Sequence, residues 1–404
     1  MKLKLLLTTL ALCTLAADAQ QVSNGFYRVQ NYGTKRYAYV LDSSGSIDIS
    51  NTTADMGAIS LDKTPDRRFT DPASVIYIAG KGKYEGYDLY DLEAQGTGVY
   101  KIINYYVTVT PSPVAGTYWV YQPTYNMYLC DPVTSTSYPI SYISTQGGNA
   151  QTRSWSIFPV SANTDEYLGV APNPKLKVGD KYYKPYYFGF GLDLTSSGMK
   201  AYYVTDVKTD AVIIAPITGT IPAATPVIIE CSSTAAANNR VNPVYTTPAK
   251  ISGNRLSGNY FCYADHKPTG YRTYDAKTMR VLSVVDGHLC YVTDTQHTLT
   301  TQLEVDDVLG YYINANESYL QVPEGTAATL PVMTQAEYDA LHPAGVKGDV
   351  NGDGKVSSTD ALVLYRFIAS GKTAAQAPEA DINGDGKVSS TDALVLYRLI
   401  SAGK

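Results

Sequence analysis

The last 59 residues of the chain contain a near-perfect internal duplication. Residues 349–372 read DVNGDGKVSSTDALVLYRFIASGK, and residues 381–404 read DINGDGKVSSTDALVLYRLISAGK. Twenty of the 24 positions are identical, at an offset of 32. Each copy opens on a run of Asp, Asn and Gly that suits a tight loop. Each then passes into a segment with good helical character, Ala361–Ala369 in the first copy. The duplication gives this end of the chain an internal twofold.

Each loop begins D-x-N-x-D-G and carries an acid at its twelfth position, the pattern of a twelve-residue calcium loop. Calcium is a hard cation that takes six to eight oxygens at ~2.3–2.6 Å. In the first loop Asp349, Asn351 and Asp353 offer side-chain oxygens on alternate residues. Gly354 allows the sharp turn, Lys355 offers its backbone carbonyl, Ser357 acts through water, and Asp360 completes the shell. The second loop repeats the set with Asp381, Asn383, Asp385, Gly386, Lys387, Ser389 and Asp392. Three carboxylates per loop repel one another unless a cation relieves them, so two calcium ions are expected. Two acidic turns without a metal would not need the full ligand set in both copies.

An ordinary EF-hand has a helix before its loop as well as after it. The segment before Asp349, His342-Pro-Ala-Gly-Val-Lys-Gly348, cannot hold a stable helix, and position 12 is Asp rather than Glu. Two loop-plus-exiting-helix units from Val346 to Lys404 resemble a type I dockerin module. That resemblance implies docking to a cohesin-type module on a scaffold protein. It also implies partner-reading residues at positions 10, 11, 17 and 18 of each copy. These are Ser358, Thr359, Tyr365 and Arg366, and Ser390, Thr391, Tyr397 and Arg398. Tyr at position 17 departs from the family's usual aliphatic or Lys. The plainer alternative is that Ser358 and Ser390 cap their helices while Arg366 and Arg398 are merely solvated.

The other end of the chain reads as a signal peptide. Lys2 and Lys4 precede an apolar run from Leu5 to Leu15, and Ala17-Asp18-Ala19 suits cleavage before Gln20. The run is shorter than the ~20 residues of a membrane span, and no other stretch of the sequence approaches that length. Cys13 raises a lipoprotein reading, which Leu12 disfavours. A secreted protein, extracellular or held at a cell surface through a scaffold, is expected. The net charge of −5 is unclustered, and nucleic acid is not an expected partner, because phosphate binding needs a basic stripe.

Tyr outnumbers Phe 36 to 7, a mix that suits half-wet β-sheets. The fold class expected is therefore a mainly β body of sandwich or barrel modules, followed by the small α C-terminal module. Residues 20–165 form a first β-rich module, with strands at Phe26–Gln30, Tyr37–Leu41, Val75–Ile78, Tyr105–Thr110, Tyr118–Tyr121 and Trp155–Val160. Its opening GFYRVQNYGTKRYAYV (Gly25–Val40) resembles the strand–turn–strand unit that starts a β-trefoil repeat in ricin-like lectins. RSWSIFPV (Arg153–Val160) resembles the strand that closes such a repeat, although no threefold repeat is legible.

Residues 166–335 form a second β-rich module. Strands are expected at Ala201–Val207 and Ile221–Glu230, a hairpin at Ser283–Val292 around Asp286-Gly287, and a strand pair at Gly310–Gly325 around Asn314–Asn316. IPAATPVIIE and NESYLQVP are similar to a module of secreted Bacteroidetes proteins, which implies fold and source rather than an activity. Thr334-x-x-Glu337 is a capping box opening a short helix. Residues 336–345 are that helix and a linker, with the domain boundary at His342–Val346.

Cys130, Cys231, Cys262 and Cys290 allow three connectivities, with buried free thiols favoured over a single bridge. The four histidines share no metal spacing. Dockerin cargo is usually carbohydrate-active, so the resemblance implies polysaccharide breakdown, with a glycan as a further partner. A carbohydrate-binding body is one reading and a glycoside hydrolase another. A structural or protein-interaction role is the third. The hydrolase needs two carboxyls ~5–10 Å apart. Glutamate is sparse between Glu85 and Glu324, and G-x-S-x-G, H-E-x-x-H and glycine-rich phosphate loops are all missing, which favours binding over catalysis. No catalytic residue is assigned. Trp119 and Trp155 could stack on sugars, but each lies in an apolar strand that suits a core.

Overall fold

The computed structural model describes residues 22–43, 54–59, 67–95, 99–101, 106–123, 126–131, 141–144, 150–194, 198–246, 251–259, 272–305, 308–341 and 346–402. The expected signal peptide, Cys262 and residues 342–345 of the expected linker lie outside them. The chain divides into two compact units, Met1–Met333 and Thr334–Lys404. The first is mainly β and the second helical. Among the described residues no helix is long and apolar enough to cross a membrane.

In the first unit the described strand pairings are antiparallel, and six of them close a ring. Gly25–Asn31 pairs with Ile76–Tyr84, which pairs with Tyr87–Gln95. That strand pairs with Val107–Pro111, which pairs with Tyr118–Gln122. Ser154–Pro159 then bonds both Tyr118–Gln122 and Gly25–Asn31, which completes the barrel. Extra strands hang from it. Tyr37–Ser43 pairs with Ala54–Ile59, Met127–Cys130 pairs with Ser141–Ser144, and Val99–Lys101 lies along Tyr87–Gln95. Six barrel strands with three such attachments make a trefoil-like arrangement; among the described residues the middle attachment is a single short strand.

The alternation of these strands explains the barrel's filling, because every second side chain points inward. Val29, Ile76, Ile78, Leu92, Val120 and Trp155 meet inside. Trp155 is fully buried, and its indole Nε1 donates to the Leu129 carbonyl at 3.0 Å. It is a core residue, as its apolar strand suggested. Trp119 is half-buried, edge-on to Tyr128 with ring centroids 5.2 Å apart.

Beyond Val160 the chain builds a ten-stranded sheet, running in space from Lys177–Val178 at one edge to Leu256–Gly258 at the other. A smaller three-stranded sheet sits on Arg240–Val244. The two β-rich stretches share a core in which Phe26 and Val75 pack with Leu168, Phe188, Phe190 and Ile229. A buried polar knot lies beside it. Arg28 donates to Ser74 Oγ at 3.1 Å and to the Glu166 carbonyl at 2.6 Å. Glu166 also accepts from Tyr37 at 2.8 Å and from Arg68 at 3.0 Å. Burial pulls the Arg28 guanidinium down to about 10 against the opposing charge of Glu166.

Several local expectations hold. Asp286 and Gly287 both have positive φ, +50° and +79°, as a two-residue type I′ turn requires, and they join Met279–Val285 to His288–Val292. Thr334 and Glu337 form the reciprocal cap, with Thr334 N donating to Glu337 Oε2 at 2.7 Å. Two others are corrected. Ile221–Glu230 is a strand only from Val227 to Cys231, because Pro222 and Pro226 flank a turn in which Ala224 has φ of +55°. Val308–Tyr312 and Ser318–Gln321 are strands but not partners. The first pairs with Thr301–Val305, the second with Met279–Val285 and Leu256–Gly258. The turn between them is tied to another segment instead, the Asn316 carbonyl accepting from Tyr187 N at 2.9 Å. Cys130, Cys231 and Cys290 are buried free thiols.

Because Trp155 fills the barrel from its closing strand, Trp155→Ala should cost ~3–5 kcal/mol. Denaturant unfolding of the full chain should show the β transition shifted to lower denaturant, with the helical signal of residues 334–404 unmoved.

Candidate functional site

In the second unit the duplicated positions become one core. Val350 and Ile382, Val356 and Val388, Leu364 and Leu396, and Phe367 and Leu399 are equivalent pairs, and all pack together. The segment between the two copies adds Ala377 and Ala380, both fully buried. The helices are Ser358–Ala369 and Ser390–Ser401. No incoming helix precedes either loop among the described residues. A 3₁₀ turn at Pro378–Ala380 stands before the second.

Each loop is wound around its first carboxylate. Asp349 Oδ1 accepts from Gly352 N at 2.8 Å and Asp353 N at 3.1 Å, and its Oδ2 accepts from Gly354 N at 2.7 Å. Asp381 repeats this with Gly384, Asp385 and Gly386. Gly354 and Gly386 each have φ of +81°, which explains glycine at the sixth position. Asn351 Nδ2 donates to Asp353 Oδ2 at 3.0 Å, and Asn383 does the same to Asp385 at 3.1 Å. Lys355 N and Lys387 N donate to those same aspartates' Oδ1 atoms.

The twelfth residue locks loop to helix. Asp360 is fully buried; its Oδ1 accepts from Val350 N and Asn351 N, and its Oδ2 from Ser357 N at 2.7 Å. Burial alone would raise its carboxyl, but the N–H donors of Asn351, Ser357 and Val350 together hold it below the ordinary carboxylate value. Asp392 is placed likewise, with Asn383 N and Ser389 N as donors. Ser357 and Ser389 are the N-caps, each in a capping box with the acid three residues on. The capping alternative for Ser358 and Ser390 is therefore corrected. Both sit inside the first turn and are exposed.

Every side-chain donor offered by these loops is an oxygen, the chemistry of a hard cation, and the glycine turns give the loop shape that such a site needs. The residues fit calcium in that sense. Among the described residues no three His, Cys, Asp or Glu side chains gather as a metal cluster. In this structure the loop carboxylates accept backbone N–H groups.

The positions expected to read a partner fall on one exposed stripe of each helix. Ser358, Thr359, Tyr365 and Arg366 are exposed, as are Ser390, Thr391, Tyr397 and Arg398. Thr359 and Thr391 are less free than their exposure suggests. Their hydroxyls accept from Asn351 and Asn383 and bond Ser357 and Ser389. The structure adds Leu362 and Leu394, 55% and 53% exposed, beside Tyr365 and Tyr397 at 61% and 68%. Leu362 lies three to four residues from Ser358, Thr359, Tyr365 and Arg366, so helical spacing alone could have found it.

Residues 347–401 match the family model of the dockerin type I domain. No curated protein matches the chain in sequence. Among solved structures it is similar to a designed threefold-symmetric protein, ThreeFoil, at 13% identity and a TM-score of 0.24, over 33% of this chain and 98% of that one. It is similar to SeviL bound to asialo-GM1 saccharide at 12% identity and a TM-score of 0.22, over 34% and 98%. A GlcNAcα1-4Gal-releasing endo-β-galactosidase from Clostridium perfringens follows at 15% and 0.20, over 34% of this chain and 32% of that one. Likenesses at this level carry nothing about ligand or activity. The chain carries a dockerin-like domain near its C-terminus, joined to a β-rich body.

Proposed function

We propose that this protein is a secreted, calcium-dependent docking protein. Its C-terminal module binds a cohesin-type module on a scaffold, and its β-rich body, a β-trefoil followed by a second β module, binds carbohydrate during polysaccharide breakdown. The observation that carries this is the duplicated loop–helix unit. It presents the same exposed stripe of Ser, Thr, Leu, Tyr and Arg twice over one core. A stripe with Leu362, Tyr365 and Arg366 suits a protein interface, where aromatic and Arg anchors dominate.

One ion in this reading is held by Asp349, Asn351, Asp353, the Lys355 carbonyl, Ser357 and Asp360. The other is held by Asp381, Asn383, Asp385, the Lys387 carbonyl, Ser389 and Asp392. The ion supplies positive charge against three carboxylates per loop. The protein's own share is to fix the loop around Asp349 and to tie it through Asp360 to the helix that carries the stripe. Chelation should therefore reduce the helical circular dichroism of the C-terminal module. Asp349→Ala with Asp381→Ala should do the same at saturating calcium, and unchanged helicity in that double variant would overturn the calcium reading.

The two stripes are equivalent, so a partner can dock on either after rotation of the module by its twofold. Changing Ser358 and Thr359 to Ala should weaken cohesin binding slightly. Changing Ser390 and Thr391 as well should weaken it strongly. Abolition by one pair with no effect from the other would exclude two equivalent modes.

For the body, binding is favoured over cleavage by the missing catalytic signatures and the sparse glutamates. A shallow sugar site leaves little surplus after ordering costs, so affinities of ~10 µM to 1 mM are expected. The protein should be retained on an insoluble polysaccharide without releasing reducing sugar. Steady release that stops when one carboxylate is replaced would establish a hydrolase instead.

A further inference from the structure

Two cavities of the β-rich unit, of about 340 and 350 Å³, share one wall. Lys184 lines both, and the turn at residues 314–317 contributes to each. Each is at the low end of the ~300–1,000 Å³ found for small-ligand sites. The wall is polar and ordered. Lys184 Nζ donates to Glu317 Oε1 at 2.6 Å, and Asn314 Nδ2 donates to Glu317 Oε2 at 2.9 Å. The first cavity is also lined by a second ion pair, Arg67 Nε to Asp71 Oδ2 at 3.0 Å. The second cavity is edged by the hydroxyl-bearing Thr298 and Thr300.

We infer that this double cavity is the glycan site of the body and takes a neutral oligosaccharide, with one sugar ring against the Lys184–Glu317 pair. This rests on the carbohydrate-binding reading given above and goes further by naming place and ligand class. Lys184 and Glu317 set a donor and an acceptor side by side, half-buried, where water competes poorly. Neighbouring hydroxyls of a sugar ring each both donate and accept, so two of them can meet such a pair without breaking it. The charges argue for a neutral ligand. Of the charged lining residues, Lys175 stands exposed to solvent, while Arg67 pairs with Asp71 and Lys184 with Glu317, so an ionised ligand inside would have to displace a partner from a half-buried pair, whereas a neutral polyol displaces none.

The test is calorimetric titration of the full chain with neutral cello-, xylo-, manno- and galacto-oligosaccharides, and with uronate oligosaccharides and short peptides as controls. Wild-type protein should bind at least one series. Lys184→Gln and Glu317→Gln should each weaken that binding tenfold or more. Thr298→Trp, at an exposed position that leaves the ion pair alone, should block it by filling the second cavity. Near-UV circular dichroism establishes that each variant is folded, and Thr298→Trp decides the matter if the ion-pair variants are not. Wild-type binding that survives all three substitutions would overturn this site while leaving the carbohydrate reading intact. Binding of no oligosaccharide would overturn both. Binding confined to uronate oligosaccharides or to peptides would overturn the neutral-glycan assignment.

Discussion

The β-rich unit depends on one strand making two sets of hydrogen bonds. Ser154–Pro159 pairs with Gly25–Asn31 on one side and Tyr118–Gln122 on the other, and no ring exists without it. The same strand places Trp155 at the centre of the barrel and hands the chain on through Val160 to the second core. Six residues further, Glu166 reaches back to Arg28, Tyr37 and Arg68. A buried guanidinium is tolerated there because several acceptors meet it at once; an incomplete set would leave an uncompensated buried charge. Barrel closure and the seating of the second module are thus consecutive consequences of one segment.

The C-terminal unit solves a different problem with the same economy. A loop and a three-turn helix expose too much apolar surface to stand alone. Duplication supplies the missing face, since Leu364 and Leu396 come from equivalent positions and are both fully buried. The sequence positions that repeat in the core also repeat on the surface. Two equal stripes are a by-product of building a small core from two copies of one unit.

Local features were legible in the sequence because short-range chemistry determines them. Asp286-Gly287 makes its turn through backbone φ alone, and Thr334 and Glu337 meet because a helical turn brings them together. The ordering of the loop around Asp349 follows from spacing within six residues. Leu362 is within reach of the same helical spacing, although a leucine in an amphipathic helix ordinarily faces the core. The cap belongs to Ser357 rather than Ser358, a displacement of one residue at a helix end.

By itself the sequence determined the mainly β body, the duplicated C-terminal module, its oxygen-rich loops and, Leu362 and Leu394 apart, the residues of the exposed stripe on each helix. Beyond the hairpin at Asp286-Gly287, only the tertiary structure decided which strands pair. Ser318–Gln321 joins Met279–Val285 rather than its neighbour in sequence, and Ser154–Pro159 closes a ring begun at Gly25. It also decided where the double cavity lies, between segments near Arg67, Lys184, Val281 and Glu317 that no spacing rule connects. The reason is physical. Turns, caps and metal-type loops are fixed by interactions within a few residues. Strand partners are chosen by side-chain burial between distant segments, where one alternating pattern fits several neighbours until the core is packed.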